Sequence, residues 1–321
     1  MFFVLLFLSR SWSEEYLTIG MEVMFHILGD TGPQLVQKVL DLTDEKLERP
    51  SLAGSWLVAL KRPPSNTDCF DHWRYSQRNF TSIVNMSDYH ANSDDLSSTL
   101  NSLNKSIVGQ TLDGPWPYNF GMKTFFTLYL EAFAPIHVTE YFDDGKFLHG
   151  DDNGKKFYIK YKGENMSLHD FWDTGCGRYM LESPYSAENW KSIDSLVTKL
   201  YKRMEDATIT APLPANYAEA IEQSFNYSIS TVYNMDLIVP DKELPDEYVN
   251  TCIETTDKRM LQAASSLSKF LKYYSVPIIK KNPPVQMISP SEAVAWGLLF
   301  FVAPLTIYLV WKLIHNKIKS E

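Results

Sequence analysis

The sequence predicts an all-α domain that lies between a short N-terminal signal segment and one C-terminal membrane helix. Two observations support this architecture: apolar residues recur at helical spacing through most of the chain, and a long uncharged apolar stretch lies near its end. The expected segments are a signal peptide (1–11), a helical ectodomain (12–275), a proline-rich stalk (276–292), a membrane helix (293–311) and a cytoplasmic tail (312–321).

The first eleven residues have the pattern of a compact signal peptide. The apolar run from Phe2 to Leu8 is too short to span a bilayer, and the small residues Ser9 and Ser11 stand where a signal peptidase reads the chain. Cleavage is therefore expected before Trp12. The alternative is that this segment is the start of a buried helix.

The ectodomain is predicted to consist of helices joined by loops. Helical spacing of apolar residues covers the ranges 34–47, 120–133, 187–204, 217–233 and 246–274. One β-hairpin insertion is expected between Lys146 and Tyr161, because two apolar segments flank the turn-forming stretch from Gly150 to Gly154.

Charge and cysteine content narrow the function classes. The chain has a net charge of -9, so a broad basic surface for nucleic acid is not expected, whereas a compact metal site that contacts one or two phosphates is compatible with this charge. The three cysteines allow at most one internal disulfide. Sequons for N-glycosylation, which suit a secreted chain, occur at Asn79, Asn85, Asn104, Asn165 and Asn226.

The C-terminal end predicts a single membrane span. The nineteen residues from 293 to 311 carry no charge and are long enough to cross a bilayer, and a membrane helix tolerates Pro304. Lys312, Lys317 and Lys319 follow directly, which places the tail on the cytoplasmic side. We therefore expect the ectodomain at the cell surface or in the lumen of the secretory pathway.

The segment from 125 to 177 carries the residues that suggest chemistry. A predicted helix bears Thr127 and Glu131, His137 follows it, and a second helical stretch bears His169 and Asp173 four residues apart, hence on one face. Two imidazoles and a carboxylate form a reasonable set of three zinc ligands. Considered alone, a pair with the spacing of His169 and Asp173 is more often a hydrogen-bonded surface pair than a set of metal ligands.

Three motifs in this segment resemble the S1/P1 nuclease family. They are Ala-Pro-Ile-His-Val (134–138), the Gly-x-x-Asn turn that ends at Asn153, and Ser-Leu-His-Asp-Phe-Trp-Asp-Thr-Gly (167–175). Members of that family are zinc-dependent single-strand nucleases and 3′-nucleotidases, related to bacterial zinc phospholipase C. The resemblance implies their mainly helical fold, a tryptophan at the mature N-terminus, and a substrate that is single-stranded nucleic acid or a nucleotide.

The resemblance also implies roles for individual residues. The active site of the family holds three zinc ions, and His137, His169 and Asp173 match the protein ligands of one of them. Trp12 matches the terminal ligand of another ion. Glu131 falls where the family has a bridging aspartate, which makes it the candidate catalytic carboxylate as well as a candidate ligand. Asn153 is the candidate substrate-binding residue.

Four other positions depart from the family pattern. Val58 and Thr127 replace an aspartate and a histidine that bind zinc in the family, while Asn85 and Leu17 stand where the family has two further zinc histidines. His72 and His90 are the candidates that would restore the missing ligands.

This ligand set predicts one bound zinc ion. Two functions remain open: a membrane-anchored phosphoesterase with a degraded site, or a catalytically silent descendant that uses the scaffold for binding at the cell surface. A phospholipase is the third and more distant alternative.

Overall fold

Helices dominate the computed structural model, which describes residues 14–81, 94–181, 184–206 and 213–274. Within these residues the chain forms α1 (Glu14–Leu28), α2 (Thr31–Asp41), α3 (Trp56–Ala59), α4 (Leu96–Val108), α5 (Pro115–Glu131), α6 (Leu168–Asp173), α7 (Ala187–Glu205), α8 (Tyr217–Tyr227) and α9 (Asp246–Lys272). The all-α prediction is confirmed for this part of the chain, and α1, α3 and α4 are additional to the predicted helices.

Local chemistry explains where several helices begin and end. Helix α5 begins before the predicted range because Pro115 suits the first helical turn, where its missing N–H is not needed. Helix α2 ends at Asp41, short of the predicted boundary, and Asp44 just beyond it has a positive φ of 56°. Helix α8 ends at Tyr227 and continues as the single π-helical turn Ser228–Val232.

The β-structure differs from the prediction. The hairpin expected between Lys146 and Tyr161 is wrong in position, because β3 (Tyr158–Tyr161) pairs with the later strand β4 (Glu164–Ser167). Its two-residue turn consists of Lys162 and Gly163, both with positive φ, which matches the twist of a tight hairpin. In addition, β1 (Arg78–Thr81) pairs in parallel with β2 (Thr139–Phe142).

The predicted turn from Gly150 to Gly154 is instead a loop held by one carboxylate. Glu140 accepts hydrogen bonds from the backbone nitrogens of Asp152 at 2.8 Å and Asn153 at 3.0 Å. Because a single buried side chain satisfies two successive loop N–H groups, this stretch does not need a paired strand.

The helices enclose two groups of buried apolar side chains. In the larger group α1 packs against α7 and α9, and α5 packs against α4 and α9. The smaller group surrounds Phe171 and Trp172 of α6. Beside it, Cys176 and Cys252 form a disulfide that fastens the loop after α6 to α9, while Cys69 is free and exposed. The prediction of at most one internal disulfide is confirmed.

The two predicted ends of the chain lie outside the described residues. These are the signal peptide (1–11), the stalk, the membrane helix (293–311) and the tail. Among the described residues, none of the helices combines the length and apolar character needed to cross a membrane.

Candidate metal centre

Three short segments bring the predicted ligands together. Glu131 is the last residue of α5, and His137 lies in the 3₁₀ turn Pro135–Val138 that follows it. Helix α6 carries His169 in its first turn and Asp173 at its end. The turn and helix α6 also contact each other directly, so residues separated by more than thirty positions meet.

Helix α6 is only six residues long, and its first turn is fixed by a cap. The Ser167 side-chain oxygen accepts a hydrogen bond from the backbone nitrogen of Asp170 at 2.9 Å. Such a cap satisfies one of the N–H groups that have no partner within a helix. The cap therefore fixes the helical register in which His169 and Asp173 lie on the same face.

The three predicted ligands His137, His169 and Asp173 lie together in one buried cluster that could hold a metal ion. His137 Nε2 lies 2.9 Å from Asp173 Oδ1, and His169 Nε2 lies 3.0 Å from Asp173 Oδ2. One ligand atom from each residue lies within 4.8 Å of the others, and the two imidazole rings are parallel with centroids 5.2 Å apart. In the part of the chain that the structure describes, this is the one such grouping of histidine, cysteine and acidic residues.

The outer nitrogen of each imidazole faces an acceptor. His169 Nδ1 lies 2.8 Å from the backbone oxygen of Asn153, and a carbonyl can only accept, so Nδ1 carries the proton. His137 Nδ1 lies 2.8 Å from Glu131 Oε2. In the neutral imidazoles, both Nε2 lone pairs then point at the Asp173 carboxylate. Acceptors that face each other need a cation between them, either a proton or a metal ion.

The pKa values describe how the cluster behaves with protons alone. Burial by itself would raise the pKa of Asp173, but the neighbouring His169 and His137 outweigh it and lower the value to about 2. Burial lowers the pKa of His137, while the Glu131 and Asp173 carboxylates raise it to about 9. A positive charge at this position is therefore favoured, and a metal ion is one way to supply it.

Arg74 lies behind the cluster and was not predicted as part of it. Its guanidinium donates from Nε to Glu131 Oε1 at 2.7 Å, and its Nη2 bonds the same oxygen. Its Nη1 lies 3.3 Å from Asp71 Oδ1. Arg74 and Glu131 are both fully buried. The Glu131 carboxylate thus divides its two oxygens between a guanidinium and the imidazole of His137.

The residues present fit one zinc ion. His137, His169 and Asp173 supply two imidazole nitrogens and a carboxylate oxygen, which is a donor set that zinc prefers. Each outer imidazole nitrogen is held by a carboxylate or a carbonyl, the arrangement that orients histidine ligands in metal proteins. All three side chains are fully buried.

The residues described do not fit the other two ions of the family site. Glu131 is committed to Arg74 and His137. Leu17 and Val58 belong to the apolar core and offer no donor atom, and Thr127 donates its hydroxyl to the backbone oxygen of Lys123 at 3.2 Å. Trp12 and Asn85 lie outside the described residues.

Three predicted site residues remain, namely Asn153, His72 and His90. The Asn153 side chain is buried and donates to the Thr139 backbone oxygen at 2.9 Å, so substrate binding by this residue stays a prediction. His72 is not brought into the cluster, since its Nε2 lies 2.8 Å from Asp94 Oδ2 near the surface. His90, the other candidate replacement, lies outside the described residues.

Four of the predicted glycosylation sites lie in described segments. Asn165 in β4 and Asn226 in α8 are exposed, whereas Asn79 in β1 and Asn104 in α4 are half-buried. Glycosylation of these asparagines stays a prediction.

The sequence did not predict the residues that reach the cluster from a distant part of the chain. Arg74 and Tyr75 lie far along the chain from the ligands, and no local pattern distinguishes them. The Tyr75 ring lies against His137 with centroids 4.7 Å apart, and its hydroxyl is 3.5 Å from His169 Nε2. Glu140 stands three residues after His137, and this proximity to the histidine motif is the one signal that could have marked it.

We expect the stability of the protein to depend on pH through Asp151, a buried acid in the 150–154 loop. Burial raises the pKa of Asp151 to about 7, against hydrogen bonds from the Tyr233 hydroxyl at 2.7 Å and the Tyr141 backbone nitrogen at 3.1 Å, which lower it. Because the folded state holds this proton more tightly than the unfolded state, Asp151 contributes stability that is complete below about pH 4 and lost as the pH rises through 7.

The Asp151→Asn variant should show this directly. An amide copies the protonated acid, since its oxygen accepts from Tyr141 and its NH₂ group donates to the Tyr233 oxygen. The variant should be more stable than the parent at pH 7, by up to about 4 kcal/mol, and should lose the decline between pH 4 and 7. Urea denaturation across this range measures both effects, and parallel curves for the two proteins would contradict the assignment.

Comparison with known proteins agrees with this geometry. A family model described as S1/P1 Nuclease matches residues 26–274, which includes every residue of the metal cluster. No curated protein matches the sequence. The family is zinc-dependent in general, and the described cluster offers ligands for such an ion. The chain belongs to the S1/P1 nuclease family.

Proposed function

We propose that this chain is a membrane-anchored member of the family that binds one zinc ion and hydrolyses phosphoesters of single-stranded nucleic acid or nucleotides only weakly. The observation that carries the proposal is the pairing of Glu131 with Arg74. The guanidinium places a fixed positive charge at Oε1 of this carboxylate, and the His137 imidazole lies 2.8 Å from Oε2, so a metal ion at Glu131 would meet a cation on one side and displace a zinc ligand on the other.

The loss of bridging limits the chemistry. Two-metal phosphoesterases rely on ions held close together, which stabilise both the attacking and the leaving oxygen. A single bound zinc would supply a Lewis acid that polarises one phosphate oxygen. In this chain Leu17 and Val58 lack donor atoms, and water alone cannot replace the protein ligands at those positions.

A second candidate function is a catalytically silent protein in which the same zinc is structural. Full burial of His137, His169, Asp173 and Glu131 favours this alternative, since catalytic zinc sites keep a position open to substrate whereas structural sites are closed. Its partner would then bind the scaffold elsewhere.

The decisive assay uses the purified full-length protein with added zinc at mildly acidic pH. Single-stranded DNA, RNA and 3′-nucleotides should be hydrolysed at least about 1,000-fold more slowly than by a family member with a complete ligand set, because each missing electrostatic contact to the transition state costs 100-fold or more. The His137→Ala variant is the blank, and zinc per chain is measured on the same samples.

Three results separate the possibilities. One zinc with slow turnover that disappears in His137→Ala supports the weak hydrolase. One zinc with no turnover above the blank supports the silent protein. Turnover equal to that of the complete family member, and lost in His137→Ala, would refute both and would show that residues outside the described segments complete the site.

The location of the protein is proposed from different observations. The short apolar signal, the uncharged stretch from 293 to 311 and the lysines after it argue for an ectodomain outside the cytoplasm. The disulfide between Cys176 and Cys252 suits an oxidising compartment, and Asn165 and Asn226 are sequons with exposed side chains.

Glycosidase treatment of the protein from eukaryotic cells should therefore increase its mobility on a gel. Replacing Asn165 and Asn226 with glutamine should remove part of the shift, because the glycan requires the asparagine amide. Protease protection gives the second measurement, with a detergent that permeabilises the plasma membrane and leaves internal membranes intact. A cytoplasmic protein is indicated if mobility is unchanged and added protease reaches the ectodomain only after this detergent treatment.

A further inference from the structure

Beside the zinc cluster lies a buried ion pair between Arg74 and Glu131. Arg74 is fully buried, and its guanidinium directs two nitrogens at one oxygen of Glu131. Its partners are the Glu131 and Asp71 carboxylates, and a guanidinium stays protonated in proteins. The group is therefore a permanent positive charge inside the protein.

The position of Arg74 is built into the backbone. Arg74 ends the 3₁₀ turn Asp71–Arg74, and two residues later the Ser76 backbone nitrogen donates to the His137 backbone oxygen at 2.8 Å. Tyr75 lies between, with its ring against the His137 imidazole. The segment that carries the guanidinium is thus hydrogen-bonded to the segment that carries a zinc ligand.

The charges also form a continuous chain of contacts. Arg74 contacts Glu131 Oε1, Glu131 Oε2 lies 2.8 Å from His137 Nδ1, and His137 Nε2 lies 2.9 Å from Asp173. A buried carboxylate needs a cation or several hydrogen bonds to remain ionised. Arg74 meets that need from one side, and it leaves the second oxygen of Glu131 to orient the imidazole.

We propose that the buried Arg74 guanidinium supplies the positive charge that keeps Glu131 ionised, so that this carboxylate orients the His137 imidazole and does not bind metal itself. Glu131 then acts as a positioning residue for His137 rather than as a ligand. The inference rests on the proposed single-zinc site, and it concerns the opposite charges of Arg74 and Glu131. It predicts that Glu131 destabilises the folded protein when Arg74 is replaced by an uncharged residue, because the buried carboxylate then has no cation beside it.

The test compares four full-length proteins by cobalt titration and thermal unfolding: the parent, Arg74→Met, Glu131→Gln and the double variant. Methionine keeps much of the apolar stem of arginine and removes only the charge. Arg74→Met should melt well below the parent without metal, and it should bind its single equivalent of cobalt more weakly, because a buried carboxylate without a cation takes up a proton and no longer fixes the His137 imidazole. The parent should bind a single equivalent.

The double variant separates charge from packing. Arg74→Met with Glu131→Gln leaves neither charge, so it should bind one equivalent of cobalt and melt above Arg74→Met in the absence of metal. Arg74→Lys restores a cation and should recover much of the melting temperature and cobalt affinity of the parent. Arg49→Met, the same substitution at a half-buried arginine paired with Asp194, should leave the cobalt affinity of the parent unchanged.

The outcomes distinguish this inference from the proposed function. A parent without any bound metal would refute the single-zinc site, while the ranking of the metal-free melting temperatures would still test the role of Arg74. If Arg74→Met does not fold even with cobalt, a folded double variant supports the inference. It is overturned if both fail to fold, or if Arg74→Met melts like the parent.

Discussion

The Asp173→Asn variant is expected to lose zinc affinity by at least about 100-fold. Even residues that only orient a ligand change metal affinity by 10-fold to 100-fold, and a direct ligand costs more. Asp173 is also the group toward which both imidazoles direct Nε2, at 2.9 Å and 3.0 Å. An asparagine keeps the shape but removes the negative charge that balances the ion.

The measurement is zinc per chain by elemental analysis after dialysis against a graded chelator. Asp170→Asn is the matched control, because it makes the same substitution in the same short helix at a residue outside the ligand set. The control should keep the zinc content of the parent. Equal zinc in Asp173→Asn and the parent would mean that the cluster is a hydrogen-bonded pair of histidines around a carboxylate, and no metal site.

The core of the site was predictable because its signals are local. The four-residue spacing of His169 and Asp173 places both on one helical face, and Ser167 before them is a good helix cap. The position of His137 shortly after α5 could be read from the Pro-x-His motif. Most helices of the described chain were likewise visible as apolar periodicity, which is set by neighbouring residues.

The contacts that decide the chemistry are not local. Arg74 and Glu131 are 57 positions apart, and neither carries a pattern that predicts the other. The hairpin was misplaced for a related reason. The residues at 150–154 and at 162–163 both suit a tight turn. The 150–154 stretch forms a loop instead of a hairpin turn because Glu140, from a different segment, satisfies its backbone N–H groups.

Helices α1 and α4 were not predicted because their buried residues do not stand out as a one-sided apolar stripe. Helix α1 is buried over most of its surface, from Glu14 to Phe25, so apolar residues occur on several faces and a one-sided period is weak. Helix α4 buries only Leu96, Leu100 and Ile107, and its many serines and asparagines hide that stripe.

The Arg259→Met variant is expected to lower the free energy of unfolding by about 3 kcal/mol or more. Arg259 is fully buried in α9, and its guanidinium joins three segments of the chain. Nε donates to the Phe133 backbone oxygen at 3.2 Å, and Nη2 donates to the Ala220 backbone oxygen at 2.8 Å and to the Ser224 hydroxyl. Methionine leaves these buried acceptors without that donor, and each such loss costs about 1–3 kcal/mol.

Urea denaturation with and without chelator measures this loss. Arg49→Met is the control, at a half-buried arginine that pairs with Asp194 and lies over the Trp190 ring, and its expected change is smaller, about 1 kcal/mol. A change within about 0.5 kcal/mol for Arg259→Met would show that water or the remaining side chains satisfy the carbonyls. The guanidinium of Arg259 bonds the chain two residues beyond Glu131 and contacts none of the zinc ligands. Folded Arg259→Met should therefore keep one zinc per chain, because its defect is in the scaffold and not in the ligand set.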